Sequence, residues 1–438
     1  MGGTMFASNA GRPGACRMAW VVAGVLWLAG GAGLPAEPTG LAAQLKSYPS
    51  RYYVIESDLQ DANAIREASA RMTSMAEEYH RRTKDFAGTI QKRFTFYLFS
   101  KEKDYHDAGG PLGSAGVYHT GKEALMACAE DLGSKQLWHV IQHEGFHQFA
   151  HLVIGGHLPV WIDEGLAEYF GYGLWTGDGI VTGVVPPYCL KRIQGIIRQE
   201  KTVPFLEMLM MTSEEWTGHV RDSYKGDGAE PGKASDKARP GKGQDGKPAD
   251  DKAEKAQVNY DQAWAMVHFL VHAENGKYRD AFSGLIADVS HKKDWQESFK
   301  ARFGTNVKLF EKKYCDWWLA QKDDTSQELY TRVIVQTLTS YLARAVAQGQ
   351  KFADADDFLK QARAGTLKCD QSLWLPPTLL KETLASTRKW KDCWSLDVAG
   401  RYPRLVLNWS DDRTYVGTFG IIGGKPVTVK VDVQQKKP

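Results

Sequence analysis

The sequence predicts an α+β protein, and three patterns carry that prediction. Residues 93–100 place Phe94, Phe96 and Leu98 at alternate positions, the period of a strand with one buried face. Residues 136–153 instead repeat Leu137, Val140, Ile141, Phe149, Leu152 and Val153 at helical spacing. Beyond Trp394 the pattern changes to short alternating runs, with Ser410-Asp411-Asp412 and Gly423-Gly424 as turns between them. A small sheet thus feeds a helical body, and a helix pair and a small antiparallel β module close the chain.

Taken in order, residues 51–56 read as a strand and 61–82 as an amphipathic helix, ahead of the 93–100 strand. Glycine-rich turns lead to a strand over 123–130 and then to the 136–153 helix. Pro159 ends that helix, and Trp161, Leu166, Tyr169 and Phe170 recur at helical spacing in the next one. A further helix covers 188–199. Residues 221–257 are Gly, Pro, Lys and Asp with almost nothing apolar, so burial cannot offset their ordering entropy. They predict a disordered insertion within the domain. Helices resume over 260–273 and 277–289, and a 299–319 segment carries Trp317 and Trp318 as core residues. Residues 327–348 and 353–364 form the helix pair. Strands over 405–409, 415–422 and 426–433 form a three-strand meander, which needs a partner surface to be stable. The expected divisions are 1–36, 45–320, 325–368 and 394–438.

The chemistry lies in His143-Glu144-Gly145-Phe146-His147 and, downstream, Trp161 to Glu168. His-Glu-x-x-His on a helix stacks two imidazoles on one face, where both can reach one Zn²⁺. Glu144 then stands close enough to take a proton from an activated water. Glu164 follows His147 after a helix, a turn at Pro159 and a second helix folding back, and supplies a third ligand. Two imidazoles, one carboxylate and an open position make a catalytic rather than a structural zinc site. Glu168 is four residues from Glu164 and shares its face, away from the apolar stripe. The competing reading, a solvated helix face of incidental spacing, is weakened by the apolar flanks of both segments.

These residues resemble the gluzincin metallopeptidases, whose second motif reads Asn/Asp-Glu-Gly or Asn-Glu-Ala, and are most similar to the bacterial peptidase-MA-like group. The resemblance spans residues 50–320. It implies a small mixed sheet packed on the HExxH helix with a mainly helical second lobe. It also implies one Zn²⁺ held by His143, His147 and Glu164, with Glu144 as general base and Glu168 orienting a zinc-bound histidine. Residues 260–270, from Tyr260 to Leu270, look like the helix that bears the catalytic tyrosine of the aminopeptidase branch, so Tyr260 would donate to the oxyanion. One departure matters. The Gly-x-Met-Glu-Asn motif that grips a free amine in that branch is absent, and residues 123–130 read as a strand instead. Such a strand at the cleft edge could pair with an extended peptide, which favours an endopeptidase. Glu130 reads as a solvated strand-end charge. His139 and His151 extend the histidine ladder and are assigned packing or surface roles, as are His157, His268 and His272.

A chain of 438 residues with a net charge of +3 can bury a full core, and it has no basic concentration that argues for nucleic acid. Arg12 and Arg17 precede an apolar run from Met18 to Leu34, the pattern of an export signal or N-terminal membrane anchor. The expectation is therefore an exported zinc metallopeptidase acting on a peptide or protein substrate. Membrane contact would come only through an uncleaved N-terminus. The alternatives are an exported binding or scaffold protein that keeps the fold, or a zinc hydrolase of a non-peptide substrate. Apart from Cys16, five cysteines remain with no Cys-x-x-Cys spacing, which excludes a zinc-thiolate site; Cys369 with Cys393 is the pair placed best for a disulfide.

Overall fold

The computed structural model describes residues 45–130, 132–155, 158–225, 251–409 and 413–435. The expected targeting segment, His157 and residues 226–250 of the expected insertion lie outside them. The fold opens with strands β1 (Lys46–Pro49) and β2 (Tyr53–Ser57), helix α1 (Ala62–Thr83), strand β3 (Phe94–Phe99) and the short helix α2 (Glu102–Asp107). Strands β4 (Gly116–His119) and β5 (Ala124–Cys128) complete a sheet of order β1-β2-β3-β5-β4. β2, β3 and β5 are parallel, and both edge strands are antiparallel to their neighbours. Phe94, Phe96 and Leu98 of β3 all face the core, as their alternation predicts. One expectation is corrected here. The 123–130 strand is not at the edge, because β4 pairs along its outer side.

Ser134 caps helix α3 (Lys135–Phe149) by accepting from the Leu137 amide, and a π turn (Ala150–Ile154) continues it. Pro159 stands at the N-cap of α4 (Val160–Gly171), which folds back on α3. Two glutamines fix α3 in place. The Gln142 side chain donates to the carbonyls of Phe170, Gly171 and Gly173, holding the end of α4. The Gln148 side chain donates to the carbonyls of Thr95 and Glu123, holding the sheet.

A hairpin, β6 (Leu174–Trp175) and β7 (Ile180–Val181), leads to α5 (Pro187–Arg198), α6 (Phe205–Met210), α7 (Ser213–Lys225) and α8 (Asp251–Gly276). Residues 221–225 and 251–257 are therefore helical, contrary to the expected disordered stretch. Ala256 and Val258 show why: both are buried and anchor the first turns of α8 on the core. α8 packs directly on α4. A Cβ at Gly165 would lie 2.5 Å from the Ala263 carbonyl oxygen, so the two backbones approach this closely only because Gly165 has no side chain. Helices α9 (Arg279–Ser290), α10 (Trp295–Phe303) and α11 (Val307–Ala320) follow, with Trp318 fully buried against Trp264.

The chain then forms α12 (Gln327–Ala347), α13 (Ala355–Ala364), α14 (Pro377–Ser386) and an antiparallel sheet of order β11-β10-β9-β8. Its strands are β8 (Trp394–Asp397), β9 (Arg404–Trp409), β10 (Arg413–Ile422) and β11 (Lys425–Gln435). The meander thus has four strands, not three. Its partner surface is α12, which approaches β10 so closely that a Cβ at Gly417 would meet Thr339 Oγ1 at 2.0 Å. The helices and the sheet share one core through Leu338, Leu342, Phe358 and Leu405. Arg344 of α12 reaches back to both oxygens of Asp178 in the β6–β7 turn at 2.8 and 2.7 Å. Cys369 and Cys393, the pair placed best for a disulfide, are both free thiols. No helix among the described residues is long and apolar enough to cross a membrane.

Candidate metal centre

α3 and α4 bring His143, His147 and Glu164 together, with Glu144 beside them, and each of the four is 3 % exposed or less. His143 Nε2 and His147 Nε2 are 3.1 Å apart, and Glu164 Oε2 lies 3.3 and 3.5 Å from them. Ligands about 2.0–2.1 Å from a tetrahedral ion are separated by about 3.3 Å. The three atoms thus already stand at the corners of one face of such a tetrahedron. Glu164 Oε2 is buried with no hydrogen-bond partner. These three residues could hold a metal ion.

Carboxylates also stand behind the two imidazoles. Glu168 Oε1 lies 3.3 Å from His143 Nδ1, on the far side of the ring from Nε2. Its other oxygen lies 3.3 Å from His139 Nε2, so His139 is a partner of Glu168 rather than a packing residue alone. His139, His143 and Glu168 form a second group of metal-ligating type, but it borrows the back of His143 and the carboxylate that orients it. Asp163, which the sequence reading left without a role, places Oδ1 3.2 Å from His147 Nδ1. His143 and His147 therefore each have their own carboxylate at Nδ1. The signal was present, since Asp163 precedes Glu164 on the same helix, but spacing alone does not say which ring it reaches.

The electrostatics follow from so many charges in a dry place. Burial pushes the His143 imidazole down, but Glu164 and Glu168 outweigh it and lift the pKa to about 9. His147 is held well above its ordinary value because Asp163 and Glu164 outweigh burial. Burial pushes Glu144 up. His139 and His143 overcome burial and hold Glu168 well below the usual carboxylate range.

Tyr260 sits inside α8 rather than at a helix start, and it is buried. Its ring centroid lies 6.3 Å from that of His143 and 5.0 Å from that of Trp216. Burial raises its pKa well above the ordinary value, and the nearby charges of Glu164, Glu144 and Glu168 add to the rise. On the other side, the Tyr118 amide of β4 donates to Glu144 Oε2 at 2.7 Å. Sequence reasoning missed Tyr118 because a backbone amide leaves no trace in residue type. His151 is exposed and bonds the Tyr118 hydroxyl. His268 and His272 lie apart from the ligand group, packed around Tyr169 and Trp264. Glu130 is exposed, as expected.

The fold and the site together define a mixed α+β protein with a buried His/Glu centre able to bind a metal. The chain matches no protein-family model and no curated protein.

Proposed function

We propose that this chain is an exported zinc-dependent metallopeptidase that hydrolyses peptide bonds. The observation that carries the reading is the triangle of His143 Nε2, His147 Nε2 and Glu164 Oε2, with Glu144 buried beside it. Two imidazoles and one carboxylate suit Zn²⁺. When bound, the ion supplies Lewis acidity toward water and toward a scissile carbonyl.

The protein's own groups do the rest. Glu144 takes a proton from the attacking water and passes it to the leaving amine. Its Oε2 is held by the Tyr118 amide, while Oε1 has no hydrogen-bond partner and is available for that transfer. Glu168 and Asp163 keep the ligand rings turned toward the ion. Tyr260 donates to the carbonyl oxygen as negative charge develops there. An extended substrate pairing with the sheet would meet β4, not β5, and one outward amide of β4 is already committed to Glu144.

The test joins metal content to cleavage of a peptide library with and without a chelator. Metal-repleted protein is expected to hold about one zinc per chain and to lose cleavage on chelation. Absence of zinc, or equal loading in a His143→Ala/His147→Ala variant, overturns the assignment. Tyr260→Phe should lower kcat by about 10²–10³ with KM and zinc content little changed. Wild-type turnover in that variant would remove Tyr260 from the mechanism and leave the metal site standing.

A further inference from the structure

Strand β4 packs on α3, and its Tyr118 bonds the site at both backbone and side chain. The Tyr118 amide donates to Glu144 Oε2 at 2.7 Å, and the Tyr118 hydroxyl stands 2.6 Å from His151 Nδ1. The Cys128 amide donates to the Ala115 carbonyl, so strand alternation turns the Tyr118 amide away from β5. The Tyr118 ring is buried, with its centroid 5.8 Å from that of His151.

His151 belongs to the π turn that follows α3. In an unbroken α-helix it would repeat the His143 and His147 positions four residues on. The widened turn offsets it from that register, and its ring meets Tyr118 instead of joining the ligand group. β4 packs closely on α3, since a Cβ at Gly116 would lie 2.9 Å from Val140 Cγ1, but it has a strand partner on one side only. The Tyr118–His151 bond adds a polar tie on its open side. Any residue but proline could offer an amide to Glu144, and a buried phenylalanine could fill the same space; the hydroxyl is what tyrosine adds at 118.

We propose that Tyr118 and His151 are positioning residues: His151 anchors Tyr118, and with it β4, at the distance where the Tyr118 amide fixes the Glu144 carboxylate. The inference rests on Glu144 as the general base.

The tether can be read without any turnover. Hydrogen exchange of peptides covering residues 115–120, followed by mass spectrometry, reports on the Tyr118 amide. Tyr118→Phe keeps ring and amide and removes only the hydroxyl. His151→Ala removes the hydroxyl's partner, and His151→Asn retains one. Exchange is expected to accelerate by about tenfold or more in Tyr118→Phe, His151→Ala and Glu144→Ala, and to stay near wild type in His151→Asn. Unchanged exchange in Tyr118→Phe, or no rescue by His151→Asn, overturns the proposal.

Turnover on fluorogenic peptides that the wild type cleaves supplies the second arm. There Tyr118→Phe and His151→Ala should each lower kcat about ten- to a hundredfold with KM and bound zinc unchanged. The double variant should be no worse than either single one. A KM effect alone, or fully additive losses, also overturns it. Full cleavage by Glu144→Gln would sink the general-base reading, whereas cleavage lost in Glu144→Gln but intact in Tyr118→Phe sinks only the positioning role.

Discussion

Two buried polar clusters lie on either side of α4, and they differ in how they are completed. On the face toward α3, Glu164 Oε2 and Glu144 Oε1 are buried without a hydrogen-bond partner. On the other side, Glu78 accepts from Arg82 and from Thr182, and Arg82 also donates to Thr182. The network runs on through the Tyr169 hydroxyl to His272 Nε2 at 3.0 Å, and His268 Nε2 donates to the Gly183 carbonyl. Apart from His268 Nδ1, none of these side-chain atoms is left without a partner. A cluster that the chain satisfies by itself serves the fold. One whose polar atoms stay open, with ligand spacing, could hold a metal ion.

The largest effect expected from that contrast is on chemistry alone. Glu144→Gln should lower peptide cleavage by about 10²–10⁴-fold while leaving zinc content intact, because it removes the base and no ligand. Its unfolding free energy should not fall, since an isosteric amide replaces a carboxyl whose charge burial disfavours. A large loss of stability would place Glu144 in the structural class.

Metal affinity sharpens the ranking within the open cluster. Glu164→Gln should release the ion, whereas Glu168→Gln and Asp163→Asn should each weaken zinc affinity by roughly ten- to a hundredfold. The reverse order in a competition titration would exchange the ligand and its supports.

The closed cluster should respond in the opposite currency. Glu78→Ala strands the half-buried Arg82 guanidinium and should cost roughly 2–4 kcal/mol in denaturant unfolding, with kcat and zinc loading unchanged. Loss of zinc without loss of stability would break the distinction between the clusters.

The smallest effect is a pH slope. Burial lowers the His268 pKa to about 4 and that of His272 to about 2. In the unfolded chain both protonate near 6.5, so below that pH the unfolded state binds more protons and stability falls as pH drops. For His268 the fall runs from about 6.5 to 4, and for His272 it continues lower. His268→Gln should remove about 1.4 kcal/mol per pH unit from the slope in the first window. An identical slope in the variant would show that His268 is already charged in the folded state.

What the sequence disclosed follows physical lines. β3, α1, α3 and α4 were legible because a one-sided core imposes a period on residue type, and both His/Glu motifs lie on such helices. β1 and β4 were not, since four-residue strands are too short to show one. The start of α8 was hidden by its Lys- and Asp-rich first turns. At the site, the residue types of the His/Glu group were legible, whereas the places of Asp163 and Tyr118 depend on direction, one on which ring its carboxylate faces and the other on where its amide points.

Gly165 gives the site a gauge. The separation of α4 from α8 is set at Gly165, where a Cβ would lie 2.5 Å from the Ala263 carbonyl oxygen and 2.7 Å from Val267 Cγ2. A single methyl group at that point would force the helices apart by about 1 Å to reach ordinary contact. Glu164 rides on one helix and Tyr260 on the other, so the span between them is fixed by a hydrogen atom. Rotamer changes elsewhere leave that span unaltered.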